Sequence, residues 1–259
     1  MTGYNTGIKR CTLLSVLITA LSFITGCLHL STASAPAVQD PCKEVKALAE
    51  KATHFAKQVP YTSALAAITR AATDKKEHAV SFGCMSNDSV IYSTVSNGAV
   101  NTATVPVIAH RFADLHNHPE DRPPSSGDFY HFIDQAKANN GQYQKFIVLP
   151  NGTQYALVLV DATAAEAFNI RFPRVRGIRN TLDQMQYQPT FPKALVEEIN
   201  QLKGWHGATE ETAMALILQK YNTGVALLKK DADGNFRKVY TMEKEKGGAR
   251  TYTTYTCSD

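Results

Sequence analysis

Two histidines stand two residues apart in the stretch Leu115-His116-Asn117-His118-Pro119, and Ser125-Ser126-Gly127-Asp128 follows after a short loop. Residues i and i+2 of a strand point to the same face of a sheet, so both imidazoles could reach one cation. A carboxylate from the next helix would be a third protein ligand and would leave the fourth position for water. Catalytic zinc sites are usually built in this way, whereas structural zinc sites are closed by four protein ligands. The candidate ligands are therefore His116, His118 and Asp128, and the candidate cofactor is zinc (Zn2+).

The same residues also have a purely structural interpretation. A His-x-His sequence occurs by chance, and Ser125 followed three residues later by Asp128 is an ordinary capping arrangement at the start of a helix. The His-x-His sequence and the Ser-x-x-Asp sequence stand on either side of one short loop, and this combination favours the metal site. The sequence contains neither a Gly-x-Ser-x-Gly nucleophile turn nor the helical His-Glu-x-x-His zinc motif.

The run His116-x-His118-Pro119-x5-Ser125-x2-Asp128 resembles the signature of the JAB/MPN (JAMM) metalloprotease family. That signature reads Glu, a variable gap, His-x-His-Pro, a short loop and Ser-x-x-Asp. The resemblance covers roughly residues 60 to 165, and the loop between proline and serine is about one residue shorter here. It implies an α/β/α sandwich around a mixed sheet, and zinc-dependent hydrolysis of peptide or isopeptide bonds.

The resemblance also implies two catalytic residues. Ser125 would stabilise the charge that develops on the tetrahedral intermediate. The glutamate of the signature is a general base on an earlier strand, and Glu77 matches it best because it opens an apolar run that ends at Gly83. Asp74 and Asp88 are alternatives in the same region, and Glu77 could also be a solvated charge.

The first 26 residues have the features of a secretory targeting segment. Lys9-Arg10 precede an apolar stretch that is too short and too interrupted for a membrane span. The stretch ends in Ile24-Thr25-Gly26-Cys27, which resembles a bacterial lipobox. This pattern predicts a signal peptide over 1–26, lipidation of Cys27 and an anchor in a membrane of the bacterial cell envelope, on the periplasmic or outer-membrane side. Cleavage after Ala35 is the alternative.

The charge balance gives no support to a nucleic-acid partner. The chain has 27 basic and 23 acidic residues, a formal net charge of +4. Loss of the two basic residues in the first 26 would leave a net charge of +2. There is no basic stripe with interleaved aromatic residues. The expected partners are a peptide or protein substrate and the membrane, with no nucleic acid.

Three cysteines would remain after processing, namely Cys42, Cys84 and Cys257. In an oxidising compartment disulfides persist, and three different single bridges are possible. The pair Cys42 and Cys257 would join the two ends of the folded part, but the sequence does not choose among the three.

The organisation expected along the chain is an α/β fold after a flexible tether over 27–41. A JAB/MPN-like domain with N-terminal helices is expected over 42–165, and a C-terminal α+β extension of helices and a β-meander, packed on the core, over 166–259. Hydrophobic periodicity predicts helices at 42–58, 62–72, 126–139, 163–168, 192–203 and 209–221. Strands are predicted at 77–84, 89–95, 109–116, 145–149, 154–160, 224–230, 236–242 and 250–256, with a basic loop at 171–179.

A function of another class fits the same pattern: a non-catalytic JAB-like binding or scaffold module at the membrane surface. Two features keep this alternative open. The loop before Ser125 is shorter than in the family signature, and Glu77 is one of three acidic residues that could be the base. The two hypotheses differ in one structural respect, because only the hydrolase requires Glu77 to face the three candidate ligands across a cleft.

Overall fold

The computed structural model describes residues 40–181 and 184–258, and these ranges contain six α-helices and eleven β-strands. The mixed α/β class expected from the sequence is confirmed. The helices are α1 (Lys46–Ala56), α2 (Val59–Ala71), α3 (Ser126–Ala138), α4 (Ala162–Arg171), α5 (Lys193–His206) and α6 (Glu210–Lys220). The strands are β1 (His78–Cys84), β2 (Val90–Tyr92), β3 (Ser96–Asn97), β4 (Arg111–Asn117), β5 (Gln144–Val148), β6 (Gln154–Leu159), β7 (Val175–Thr181), β8 (Gln184–Thr190), β9 (Val225–Lys230), β10 (Phe236–Lys246) and β11 (Ala249–Thr256).

The expected signal peptide (1–26), the expected lipidation site Cys27 and the tether as far as residue 39 lie outside the described residues. Across the described ranges, every helix is too short or too polar to cross a membrane.

Nine of the described strands form one sheet in the order β11-β10-β9-β6-β5-β4-β1-β2, with β3 also paired to β1. Strands β4 and β5 are parallel, whereas the other neighbours in this sheet are antiparallel. Parallel strands need a crossover connection, and α3 provides it between β4 and β5. This βαβ unit places the carboxyl end of β4 beside the N-terminus of α3, which is where ligand sites form in open α/β sheets.

Helices cover both faces of the sheet. Phe146 and Val148 join the apolar core formed with α1 and α2, while Ile147 and Leu149 join a second core formed with α3, α4, α5 and α6. The run Phe-Ile-Val-Leu is apolar at every position because a strand that is buried on both faces has no solvent side. The sheet therefore lies between two helical layers.

The predicted hairpin at Pro150-Asn151-Gly152 connects β5 to β6. Strand β9 then pairs with β6, with Leu157 opposite Leu227. Through this pairing β9, β10 and β11 continue the same sheet. A disulfide joins Cys42 to Cys257, whose Cα atoms are 5.6 Å apart. The structure thereby chooses one of the three possible bridges, and Cys84 takes no part in it.

Local structure differs from the sequence-based prediction at several places, including the start of α2 and the basic segment 171–179. Helix α2 begins at Val59 rather than at residue 62, because Pro60 fits the first helical turn, where a missing N–H costs no hydrogen bond. The basic segment 171–179 is not a loop throughout. It enters β7 at Val175, and β7 pairs with β8 in a separate two-stranded sheet.

Candidate metal site

Strand β4 carries His116 and ends at Asn117, and His118 follows directly. The strand hydrogen bonding nevertheless continues, because the His118 N–H donates to the Val148 carbonyl of β5 at 3.0 Å. The Nε2 atoms of His116 and His118 lie 3.3 Å apart, and both residues are buried. The two imidazoles therefore share one face, as the i, i+2 spacing predicts.

The N-terminus of α3 positions Asp128. Ser125 is the N-cap residue, and its hydroxyl accepts a hydrogen bond from the Asp128 N–H at 3.1 Å. In return, the Ser125 N–H and hydroxyl donate to Asp128 Oδ2 at 2.8 and 2.7 Å. This reciprocal capping box fixes the carboxylate in the first helical turn, where the helix dipole favours negative charge. The Ser125 hydroxyl proton is directed at Asp128.

The three candidate ligands converge on one point. Asp128 Oδ1 lies 3.0 Å from His116 Nε2, and Asp128 Oδ2 lies 3.2 Å from His118 Nε2. One ligand atom from each residue falls within 4.8 Å of the others. This group could hold a metal ion.

The electrostatics of the group favour a positive charge at this point. Burial tends to raise the pKa of Asp128, but His116 and His118 outweigh it and hold that pKa well below its ordinary value. Burial and Lys145 act to lower the pKa of His116, yet Asp128 and Asp114 raise it to about 9. A bound cation would provide the positive charge that a proton on His116 otherwise supplies.

Glu77 stands just before β1 and lines the same cavity as the three ligands. Its main chain is bonded on both sides, because Glu77 N–H donates to the Ala99 carbonyl and Gly98 N–H donates to the Glu77 carbonyl, each at 2.9 Å. A Cβ at position 98 would lie 2.6 Å from the Glu77 carbonyl oxygen, so only glycine permits this approach. Burial raises the pKa of Glu77, and His116 and His118 partly oppose the rise.

The two alternatives to Glu77 lie elsewhere. Asp74 Oδ1 bonds to His78 Nε2 at 2.9 Å, and Asp88 lies in the connection between β1 and β2 with a φ of 64°. Neither residue lines the cavity that contains the candidate ligands. Of the three carboxylates considered as the base, Glu77 is therefore the one that lines the cavity.

A buried ion pair lies behind the ligands. Lys145 Nζ donates to Asp114 Oδ1 at 2.9 Å, and the Tyr143 hydroxyl donates to Asp114 Oδ2 at 2.6 Å. Asp114 Oδ1 is 3.8 Å from His116 Nδ1, a buried nitrogen without a hydrogen-bond partner among the described residues. Lys145 Nζ is 4.0 Å from Asp128 Oδ1. The pair therefore lies within 4.0 Å of two of the three ligands.

The sequence interpretation missed this pair, although a signal was present. Asp114 precedes His116 by two residues, so the alternation that predicted the two histidines also places Asp114 on their face. Lys145 has a weaker signal, as a single charge at the start of an apolar strand. Its partner lies on another strand, and no local pattern identifies that pairing.

The cavity in front of the ligands has a volume of about 650 Å³. Its lining includes Glu77, the three candidate ligands and the apolar side chains of Phe191, Ile199 and Met214. A chain segment bound here could place a polar bond near the ligands while its side chains contact an apolar wall.

A scan against protein-family models and a search of curated proteins both find no match to this chain.

Proposed function

We propose that this protein is a zinc-dependent hydrolase of peptide or isopeptide bonds with a JAB/MPN-like catalytic domain. The proposal rests on the convergence of His116, His118 and Asp128 in a cavity that Glu77 also lines. This is the arrangement that the motif resemblance implies, and a position of Glu77 in the same cavity supports the hydrolase over a scaffold module.

The ligand spacing supports zinc. Two nitrogens bound to a tetrahedral zinc ion at about 2.0–2.1 Å are roughly 3.3–3.4 Å apart, and the two Nε2 atoms here are separated by 3.3 Å. Two imidazoles and one carboxylate form a donor set that zinc accepts. All three residues line the cavity, so an ion held by them would be accessible from it.

The chemistry divides between the metal and the chain. When bound, zinc would make hydroxide available at neutral pH and polarise the carbonyl that is attacked. Glu77 would take the proton of the attacking water and later deliver it to the departing nitrogen. The water oxygen adds to the carbonyl carbon, the C–N bond breaks, and the amine leaves with that proton. The raised pKa of Glu77 suits a group that must both accept and return a proton.

Ser125 has a supporting part in this scheme. The resemblance implies that its hydroxyl, which lines the cavity, stabilises the oxyanion, and its single proton would have to turn from Asp128 to the substrate to do so. The hydroxyl also donates to Asp128 Oδ2 at 2.7 Å. By this bond Ser125 would hold the third ligand in place.

The place of action that we propose is the bacterial cell envelope, with a lipid anchor on Cys27 and a peptide or protein as the substrate. The lipobox-like Ile24-Thr25-Gly26-Cys27 supports the anchor. The bridge between Cys42 and Cys257 supports an oxidising compartment, because such compartments preserve disulfides.

Metal analysis and hydrolysis assays test the proposal together. The parent protein, purified and supplied with zinc, should contain about one zinc per chain, and a His116→Ala/His118→Ala variant should lose it. Peptide and isopeptide libraries should then reveal hydrolysis by the parent and none by His118→Ala. Glu77→Gln should retain zinc and lose most of the activity, by roughly 100-fold or more. A protein that binds no metal would contradict the hydrolase and favour the scaffold module.

A further inference from the structure

His131 lies one turn after Asp128 on α3, half-buried, and its side chain lines the cavity in front of the candidate ligands. Its Nδ1 atom is 3.2 Å from Lys145 Nζ. No hydrogen bond of its Nε2 atom occurs among the described residues. The imidazole therefore has one nitrogen engaged by Lys145 and one that could contact a ligand in the cavity.

The contact with Lys145 determines where the ring proton resides. A lysine ammonium has three donors and no acceptor, so Nδ1 of His131 must accept and cannot carry a hydrogen. In a neutral imidazole the hydrogen is then on Nε2. Burial and the charge of Lys145 lower the pKa of His131 to about 4, which keeps the ring neutral near pH 7.

Lys145 is itself firmly held, and this gives the tautomer a structural basis. It is buried, and its ion pair with Asp114 at 2.9 Å fixes the position of the ammonium beside His131. A donor that bonds to Nδ1 draws electron density from the ring and strengthens Nε2–H as a donor, as in other chains of hydrogen bonds. The cavity thus receives a polarised N–H group.

We propose that His131 is a further substrate-contacting residue, whose Nε2–H donates a hydrogen bond to a carbonyl oxygen of the bound peptide or isopeptide. This inference rests on the proposed hydrolase function and deepens it. A carbonyl oxygen gains negative charge when the carbon is attacked, and a fixed donor binds that state more strongly than the ground state. The Ser125 hydroxyl is directed at Asp128 at 2.7 Å, so His131 would add a donor that the motif does not contain.

The tautomer can be measured without any substrate. Nitrogen-15 NMR of the histidine-labelled, zinc-loaded protein should show His131 protonated at Nε2 and unprotonated at Nδ1. The opposite tautomer would overturn the inference, because Nε2 would then have no hydrogen to donate.

Two variants test the role in catalysis. His131→Phe keeps a flat ring without a donor and should lower kcat/KM by roughly 100-fold. His131→Gln restores an N–H donor and should recover part of that loss. Both variants should contain as much zinc as the parent, because His131 is not among the converging ligands. Equal activities for the two variants, or a parental activity for His131→Phe, would overturn the inference.

The outcomes separate this inference from the proposed function. A zinc-loaded parent that hydrolyses its substrate while His131→Phe does so equally well keeps the hydrolase and removes the role of His131. A zinc-loaded parent that hydrolyses nothing removes the hydrolase and, with it, the role of His131 in catalysis. The NMR result then decides only whether His131 presents a donor to the cavity.

Discussion

Asn117, the residue between the two histidines of the motif, accepts a hydrogen bond from the His78 main-chain N–H through its Oδ1 atom at 2.7 Å. Its Nδ2 atom donates to the Lys76 carbonyl at 2.8 Å. These two bonds bracket Glu77, the residue between Lys76 and His78. One buried side chain thus connects the strand that carries the ligands to the segment that carries the candidate base.

Replacing Asn117 with Ala should lower kcat roughly 10- to 100-fold, because small displacements of a catalytic group are costly. Zinc content should remain near that of the parent. If Asn117 acts through Glu77, the Asn117→Ala change should cost much less in a Glu77→Gln background, since the two effects are then not additive. The steady-state kinetics of the four proteins provide this comparison.

A matched control for Asn117→Ala is Asn139→Ala. Asn139 also donates from its side chain to a main-chain carbonyl, that of Gln135 at 2.7 Å, but at the far end of α3. Similar losses of kcat in both variants, or full additivity with Glu77→Gln, would contradict a role of Asn117 in placing Glu77.

Replacing Lys145 with Met should destabilise the fold by roughly 3–5 kcal/mol, because Asp114 would remain as a buried charge without its partner. Denaturant unfolding measures this change in the free energy of unfolding. Lys137→Met is the control, since Lys137 pairs with Glu166 at 3.1 Å on the surface. Exposed pairs contribute about 0–1 kcal/mol. Equal changes in the free energy of unfolding of the two variants would show that the buried pair stabilises the fold no more than the exposed pair does.

Removing the disulfide with Cys42→Ser/Cys257→Ser should lower the free energy of unfolding by roughly 3–5 kcal/mol, since the bridge closes a loop with a sequence separation of 215. Reductant should have the same effect on the parent and none on the double variant. Cys84→Ser is the control, because Cys84 is outside the bridge, and it should remain sensitive to reductant. A parent protein insensitive to reductant would argue against the bridge.

The metal-free protein should lose stability as the pH rises above neutral. In the folded protein, Asp128 and Asp114 raise the pKa of His116 from the ordinary histidine value of 6.5 to about 9. The stability that this proton contributes is therefore complete below about pH 6.5 and is lost as the pH rises through the folded value. Urea unfolding after chelation, at pH 6 and near pH 10, should show the loss.

A His116→Gln variant isolates this contribution, because other groups also titrate in the alkaline range. The fall in stability between the two pH values should be smaller in the variant than in the parent. Identical falls would contradict the assignment to His116. Zinc binding should have the opposite pH dependence and weaken in acid, since the metal needs the unprotonated imidazole.

The separation of local and non-local features explains which predictions the structure confirms. The i, i+2 spacing of His116 and His118 and the capping box of Ser125 and Asp128 are properties of single elements, so the sequence alone reveals them. The hairpin between β5 and β6 is local in the same sense. The sequence interpretation does not predict the hairpin of β7 and β8: it places a basic loop at 171–179, whereas the structure has β7 from Val175 paired with β8.

The amino-acid sequence by itself determined the α/β class, the two halves of the ligand group and the three cysteines available for a bridge. The tertiary structure decided the rest. Antiparallel pairing of β1 with β4 places Ala79 opposite His116 and so brings Glu77 to the site, and parallel pairing of β4 with β5 places Lys145 opposite Asp114. Contact of the N-terminal segment with β10, where Lys238 Nζ donates to the Pro41 carbonyl at 2.8 Å, brings Cys42 to Cys257. Strand order and register depend on the packing of both faces of the whole sheet, and no local window of sequence contains that information.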